Sequence, residues 1–154
     1  MSQFKSNYRA GLFNVASYQV SGYPFVTGST VTAGGADAGE VKVQFPHVTK
    51  NVTVINTSTT GLRVYFCASS SANTYRVSGD TGSYPNGAPL SGLHFITLEN
   101  KKDSITFDIK CREIYVALTS SVAGPNGAFE LWAELTGIPS HEMFMFTGSG
   151  LTTP

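Results

Sequence analysis

Charge is what this sequence has least of. Asp, Glu, Lys and Arg make up 13% of its 154 residues, about half the usual share, and they cancel to a formal net charge of zero. Without clustered Lys and Arg there is no electrostatic footprint for phosphates, which excludes nucleic acid as a partner. Solubility is left to Ser, Thr, Asn and Gly, and a surface with so little self-repulsion tolerates close association with neighbours. Cysteine is nearly as scarce. Cys67 and Cys111 form no CxxC pair, which removes zinc knuckles and dithiol redox chemistry. Two cysteines make no staple framework, although a Cys67–Cys111 bridge stays open. Cys111, in phase with Ile105, Phe107 and Ile109, is expected in the core as a small hydrophobe. No apolar run approaches bilayer length, and the opening MSQFKSNYRAGLFNVASYQV has no apolar h-region, so neither a membrane span nor a signal peptide is expected. Helical periodicity is missing almost throughout.

What is there reads as short strands. VKVQF, NVTVIN and LRVYFC fill 41–67, joined by PHVTK and TSTTG, connectors made of turn-favouring residues. HFITL (94–98), the charged turn ENKKD and SITFDIKC (104–111) follow. Ile105, Phe107, Ile109 and Cys111 there alternate with polar residues in a half-buried pattern. EIYVAL (113–118) comes next through Arg112. AFELWAEL (128–135) puts Phe129, Leu131, Ala133 and Leu135 on one face and Glu130, Trp132 and Glu134 on the other; it is too short and uncapped for a helix, so a strand is expected. Regularly spaced strands with turn signals predict an all-β fold, a single β-sandwich, jelly-roll-like, with an extended N-terminal arm and a short C-terminal tail; the pattern by itself does not separate a jelly roll from an immunoglobulin-like winding. A chain of this length can bury one core.

The expected division is an arm or edge segment at 1–34, a sandwich domain at 35–137 and a tail at 138–154. Phe4, Tyr8, Leu12, Phe13 and Tyr18 are too many aromatic and apolar residues for a solvated tail. The arm is either an extra edge strand or a segment that docks on another subunit. Gly22, Pro24 and Gly28 are expected to break any long element within it. A long polar insert, ASSSANTYRVSGDTGSYPNGAPLSG, separates the two strand groups; loops of this length are usually functional or disordered, and Tyr75, Arg76, Asp80 and Tyr84 give it recognition-type side chains. Trp132, between two carboxylates, is either covered by the arm or an interface anchor. MFMF (143–146) either packs on its own domain or meets a neighbour.

Catalytic chemistry finds little support. DTGS at 80–83 matches the aspartic-protease string but follows Arg76–Gly79 rather than an apolar strand, and the chain has no second DTG; a plain turn explains it. His47, His94 and His141 have no metal-ligand spacing, HEMFM lacks the second His of HExxH, and Asp37, Glu40, Asp103 and Asp108 form no calcium loop. Asn51 and Asn56 open glycosylation sequons, read here as strand and turn residues. No enzyme, metal or cofactor is expected.

SYQVSGYPFVTGS, VQFPHVTKNVTVIN and HFITLENKKDSITFDIKCREIYV together resemble small virion proteins of tailed phages and marine viruses, over roughly 17–67 and 94–135. These are β-sandwich subunits that decorate or cement an icosahedral capsid, and they carry no catalytic residue to transfer. The resemblance implies a homo-oligomer, with a trimer favoured, whose partner is the major capsid protein or another virion protein. It implies a place on the outer capsid surface after synthesis in the host cytoplasm. The expected function is that of a capsid decoration (cement) or minor capsid protein, with Phe4, Tyr8, Phe13, Trp132, Phe144 and Phe146 as interface anchors. The alternative is a carbohydrate- or receptor-binding module at a fibre, spike or tail, reading its ligand with Tyr75, Arg76, Asp80 and Tyr84, and with Trp132 if that side chain is exposed.

Overall fold

Alternation of β-branched and aromatic residues with polar ones produces strands along more than half of the described chain. The structure, a computed structural model, describes residues 10–19, 21–32, 40–66, 95–119 and 126–144. The strands are β1 (Tyr23–Val31), β2 (Glu40–Gln44), β3 (His47–Asn56), β4 (Leu62–Tyr65), β5 (Ile96–Leu98), β6 (Ser104–Phe107), β7 (Glu113–Leu118) and β8 (Gly127–Pro139). They form two four-stranded sheets, ordered β1-β8-β3-β6 and β2-β7-β4-β5. Every neighbouring pair is antiparallel. The chain passes between sheets after β1, β2, β3, β5, β6 and β7, the winding of a jelly roll. The expected all-β sandwich is the observed fold.

The core lies between the sheets. Leu62 and Val64 of β4, Ile114 and Val116 of β7, Val52 and Val54 of β3, and Phe129, Leu131, Ala133 and Leu135 of β8 all point into it. The period-2 pattern read from AFELWAEL therefore sorts its faces as expected, in a strand and not a helix. Cys111 is a free thiol, fully buried in this core, its Sγ 3.2 Å from Thr49 Oγ1. Each fully buried aliphatic or aromatic side chain contributes about 1.5–3 kcal/mol, so this layer dominates stability.

Several boundaries differ from expectation. PHVTK is not a separate connector: β3 opens at His47, and the link from β2 shrinks to Phe45 and Pro46. Phe45 is fully buried at that crossing, edge-on to Phe25 with ring centroids 5.3 Å apart. His47, expected on a turn, stands on β3 opposite Pro139, and register shifts between His47 and Asn51 mark a bulge there. SITFDIKC is not one strand; β6 stops at Phe107, and 108–112 carry the chain across to the other sheet. Two backbone bonds fix this corner, from Phe45 N to the Arg112 carbonyl at 2.9 Å and from Thr49 N to the Cys111 carbonyl at 3.0 Å. Gly22, Pro24 and Gly28 do not prevent a long element. Residues 23–31 form β1, paired with β8 along its whole length, so the edge-strand alternative for residues 1–34 holds over this stretch. A helical turn, α1 (Ala16–Gln19), precedes it.

A second, smaller cluster closes one end of the sandwich. Val48, Ile138 and Met143 are buried there, with Ala10, Leu12, Tyr18 and Phe144 packed against them. It ties residues 10–19 and the segment after β8 to the same end of the molecule.

Candidate interaction surface

Residues 10–19 are held as a knuckle by their own polar groups. Gly11 N donates to Ser17 Oγ at 3.0 Å, Ala16 N to Asn14 Oδ1 at 3.1 Å, and Tyr18 Oη to the Leu12 carbonyl at 3.0 Å. Lys110 reaches over from the 108–112 corner, its Nζ 3.1 Å from the Leu12 carbonyl and 4.0 Å from the centre of the Tyr18 ring. With Ala10, Leu12 and Tyr18 turned inward, Phe13 and Val15 are turned out, 91% and 68% exposed. An apolar pair fixed in water by a hydrogen-bonded frame is preorganised for contact, since little further ordering is needed when a partner covers it.

The outer faces of the two sheets differ. On β2-β7-β4-β5, Tyr65, Tyr115 and Ala117 are buried although they point away from the core, and Phe95 packs on them. The Tyr65 and Tyr115 rings stack with centroids 5.9 Å apart, their hydroxyls donating to Glu40 at 2.6 Å and to Glu113 at 2.8 Å. Lys42 Nζ lies 2.8 Å from Glu113 Oε2. That face is not a free surface. The outer face of β1-β8-β3-β6 is open. Its row Val26–Trp132–Thr53 is set by the register, and so is the next row, Gly28–Glu130–Ile55. Val26 is 73% exposed and Trp132 41% exposed. Between these rows lies a shallow hollow of about 450 Å³, lined by Val26, Thr27, Gly28, Ile55, Glu130, Leu131 and Trp132.

One step along β8, Glu134 is fully engaged. It accepts from Gly22 N at 2.8 Å, from Lys50 Nζ at 3.1 Å and from Asn51 Nδ2 at 2.9 Å. The Gly22 amide and then Lys50 hold its carboxyl below the ordinary glutamate range. Asn56 is buried, its amide bonded to the Thr60 and Leu98 carbonyls, so the second sequon is a turn-organising residue, as expected.

Of the anchors expected from sequence, Phe13 and Trp132 are exposed; they stand on different elements. Phe144 is half-buried against the small end cluster, so much of its ring serves its own domain. Phe4, Tyr8 and Phe146 lie outside the described residues, as do Tyr75, Arg76, Asp80 and Tyr84. Val15, Val26 and Tyr23, the last 67% exposed, were not singled out from sequence. Val26, a β-branched residue in a strand, reads the same whether its face is covered or bare, and Val15 lies on a turn with no periodicity to place it, so only Tyr23, an aromatic beside Pro24, carried a usable signal. Among the described residues no group of His, Cys, Asp and Glu could hold a metal, and no helix is long and apolar enough to cross a membrane.

Comparison with family models, with curated proteins and with solved structures finds no match to this chain.

Proposed function

We propose that this chain is a virion structural protein, a capsid decoration (cement) or minor capsid protein that binds a lattice of major capsid protein and stabilises the particle. The jelly roll supports the reading without deciding it, because the same winding serves capsid shells and sugar-binding modules alike. The observation that carries it is the knuckle at 10–19. Its inner side chains lock it to the sandwich, and its outer ones, Phe13 and Val15, are left in water. Covering a phenyl ring and an isopropyl group contributes a few kcal/mol per subunit at about 25 cal/mol per Å² of apolar surface, and repetition on a lattice multiplies it by avidity. A low-charge surface adds no repulsion between neighbours. The subunit associates as a homo-oligomer, and the apolar knuckle is the part offered to the lattice.

The test is a Phe13→Ser, Val15→Ser double variant. Both side chains are exposed, so the melting temperature should stay within a few degrees of the parent. Copies per purified particle, counted by quantitative mass spectrometry, should fall at least ten-fold. Unchanged incorporation of a folded double variant would reject the reading. Deleting residues 1–20 is the poorer experiment, because Leu12 and Tyr18 belong to the end cluster.

A second reading is favoured by one observation, the exposure of Trp132. An indole face in water is a stacking platform for a sugar ring, as a carbohydrate-binding module would require. A glycan array probed with the parent and with Trp132→Ala checks it; hits lost in the variant would support it.

A further inference from the structure

The hollow on the open sheet face has a chemical bias. Its walls are apolar, from the Val26 and Ile55 side chains, and one end is the Trp132 indole. Its one charged group is Glu130, an exposed carboxylate that can only accept hydrogen bonds. The two carboxylates on this face are treated differently. Glu134 is met by Lys50, Asn51 and Gly22 N, whereas the register gives Glu130 a glycine on one side and Ile55 on the other. Among the described residues no cation pairs with it.

Gly28 is what opens the site. A side chain at this position would stand against Glu130, its Cβ 3.7 Å from Glu130 Cγ and, too close for a real side chain, 2.9 Å from the Phe129 carbonyl oxygen. An acceptor-only group beside an aromatic face and apolar walls suits a ligand that is donor-only, flat or cationic at its tip, and aliphatic in its stem. That is an arginine or lysine side chain. A sugar would bring hydroxyl acceptors as well as donors, and Glu130 has nothing to give the acceptors.

We infer that the Gly28–Glu130–Trp132–Ile55 hollow is the seat of a basic side chain, arginine above all, presented by the partner protein. Its stem lies on Val26 and Ile55, and its guanidinium lies on the indole and against the Glu130 carboxylate. This gives the virion reading a second, polar contact that sets register, while the knuckle at Phe13 and Val15 supplies apolar burial. It rests on that reading only for the source of the arginine.

Trp132 is the one tryptophan of the chain, so its fluorescence reports on the site directly. The experiment titrates the full chain with N-acetyl-arginine amide at fixed ionic strength, with N-acetyl-alanine amide as the matched control. A saturable change in Trp132 emission is expected with the arginine compound alone. Glu130→Gln should raise the half-saturation concentration about five-fold, in line with loss of a solvent-exposed ion pair. Its melting temperature should be unchanged, because Glu130 is exposed. A silent Trp132, an equal response in the Gln variant, or a saturable response to glucose, galactose or mannose in place of arginine would each overturn the inference. The titration uses no particle, so such a result leaves the incorporation test on Phe13 and Val15 to stand or fall by itself.

Discussion

Asn56 shows how much one buried amide can organise. Its Nδ2 donates to the Thr60 carbonyl at 3.0 Å and to the Leu98 carbonyl at 3.1 Å, while Oδ1 accepts from Ser58 N and Ser58 Oγ, both at 2.9 Å. Asn56→Ala strands several of these groups in a dry site, and should cost about 3 kcal/mol in urea unfolding with the m-value unchanged. Glu113 carries the clearest pH dependence. Burial opposes its ionisation, but hydrogen bonds from Lys42 and Tyr115, with the charges of Lys42 and Arg112, outweigh burial and hold its pKa below the ordinary glutamate range. A carboxyl depressed in the folded state contributes stability that is complete above the unfolded value of about 4.3, and that stability is lost as pH falls through the folded pKa. Urea midpoints measured from pH 6 down to pH 3 should therefore drop below about pH 4.5. Glu113→Gln should start lower and fall less steeply. Cys111 behaves in the opposite way, because burial, only partly offset by the Thr49 hydroxyl, pushes its thiol up to about 11. In a Cys67→Ser background at pH 8, Ellman's reagent should find no reactive thiol until denaturant is added.

At the scale of elements, the strands that alternate cleanly were legible and the places where the chain changes sheets were not. β8 could be read from Phe129, Leu131, Ala133 and Leu135 because each pairs an inward apolar residue with an outward polar or aromatic one. β1 was obscured by Pro24 and Gly28, which look like breakers in isolation. An edge strand tolerates both, since one side of its backbone needs no ladder partner. The corners at Phe45–Pro46 and 108–112 were hidden for another reason. Their residues stay strand-like in composition, and the turn is fixed by bonds to residues more than sixty positions away. The candidate surface divides in the same way: Trp132 was visible from alternation, whereas the hollow beside it exists only through the register of positions 28, 130 and 55 on three strands. Close approach between sheets gives a further test. A Cβ on Gly127 would lie 2.4 Å from Leu118 Cδ2 and 2.9 Å from Leu62 Cδ2, where the start of β8 crosses the other sheet. Gly127→Ala should destabilise by about 1–3 kcal/mol by overpacking, a loss read as a lower thermal midpoint. Trimming Leu118 to Val in the same chain should recover part of it.

For the whole molecule, the decisive fact is that the first and last strands among the described residues lie side by side. β1 pairs with β8 from Tyr23↔Leu135 to Val31↔Gly127, and β8 is also the central partner of β3. The β1-β8-β3-β6 sheet cannot be completed until both ends of the sandwich have come together. Such non-local pairing carries its loop-closure entropy before any contact repays it, so refolding is expected in the range of milliseconds to seconds or slower. The same topology separates the two parts of the N-terminal region. Removing the outward side chains at Phe13 and Val15 alters only what the knuckle shows to a partner. Deleting residues 1–31 removes β1 itself, with Val31 from the core and Phe25 from its place against Phe45. It also bares one edge of the thirteen-residue β8 along most of its length, with Trp132 on the adjoining face. A long unpaired edge beside an exposed aromatic is a template for strand addition. The deletion should therefore yield large aggregates in sedimentation velocity and lose the native circular-dichroism melt, while the Phe13→Ser, Val15→Ser variant sediments as a folded species. A soluble, cooperatively melting chain lacking residues 1–31 would mean that β1 is an appendage, and that the sandwich holds together without the strand that joins its two ends.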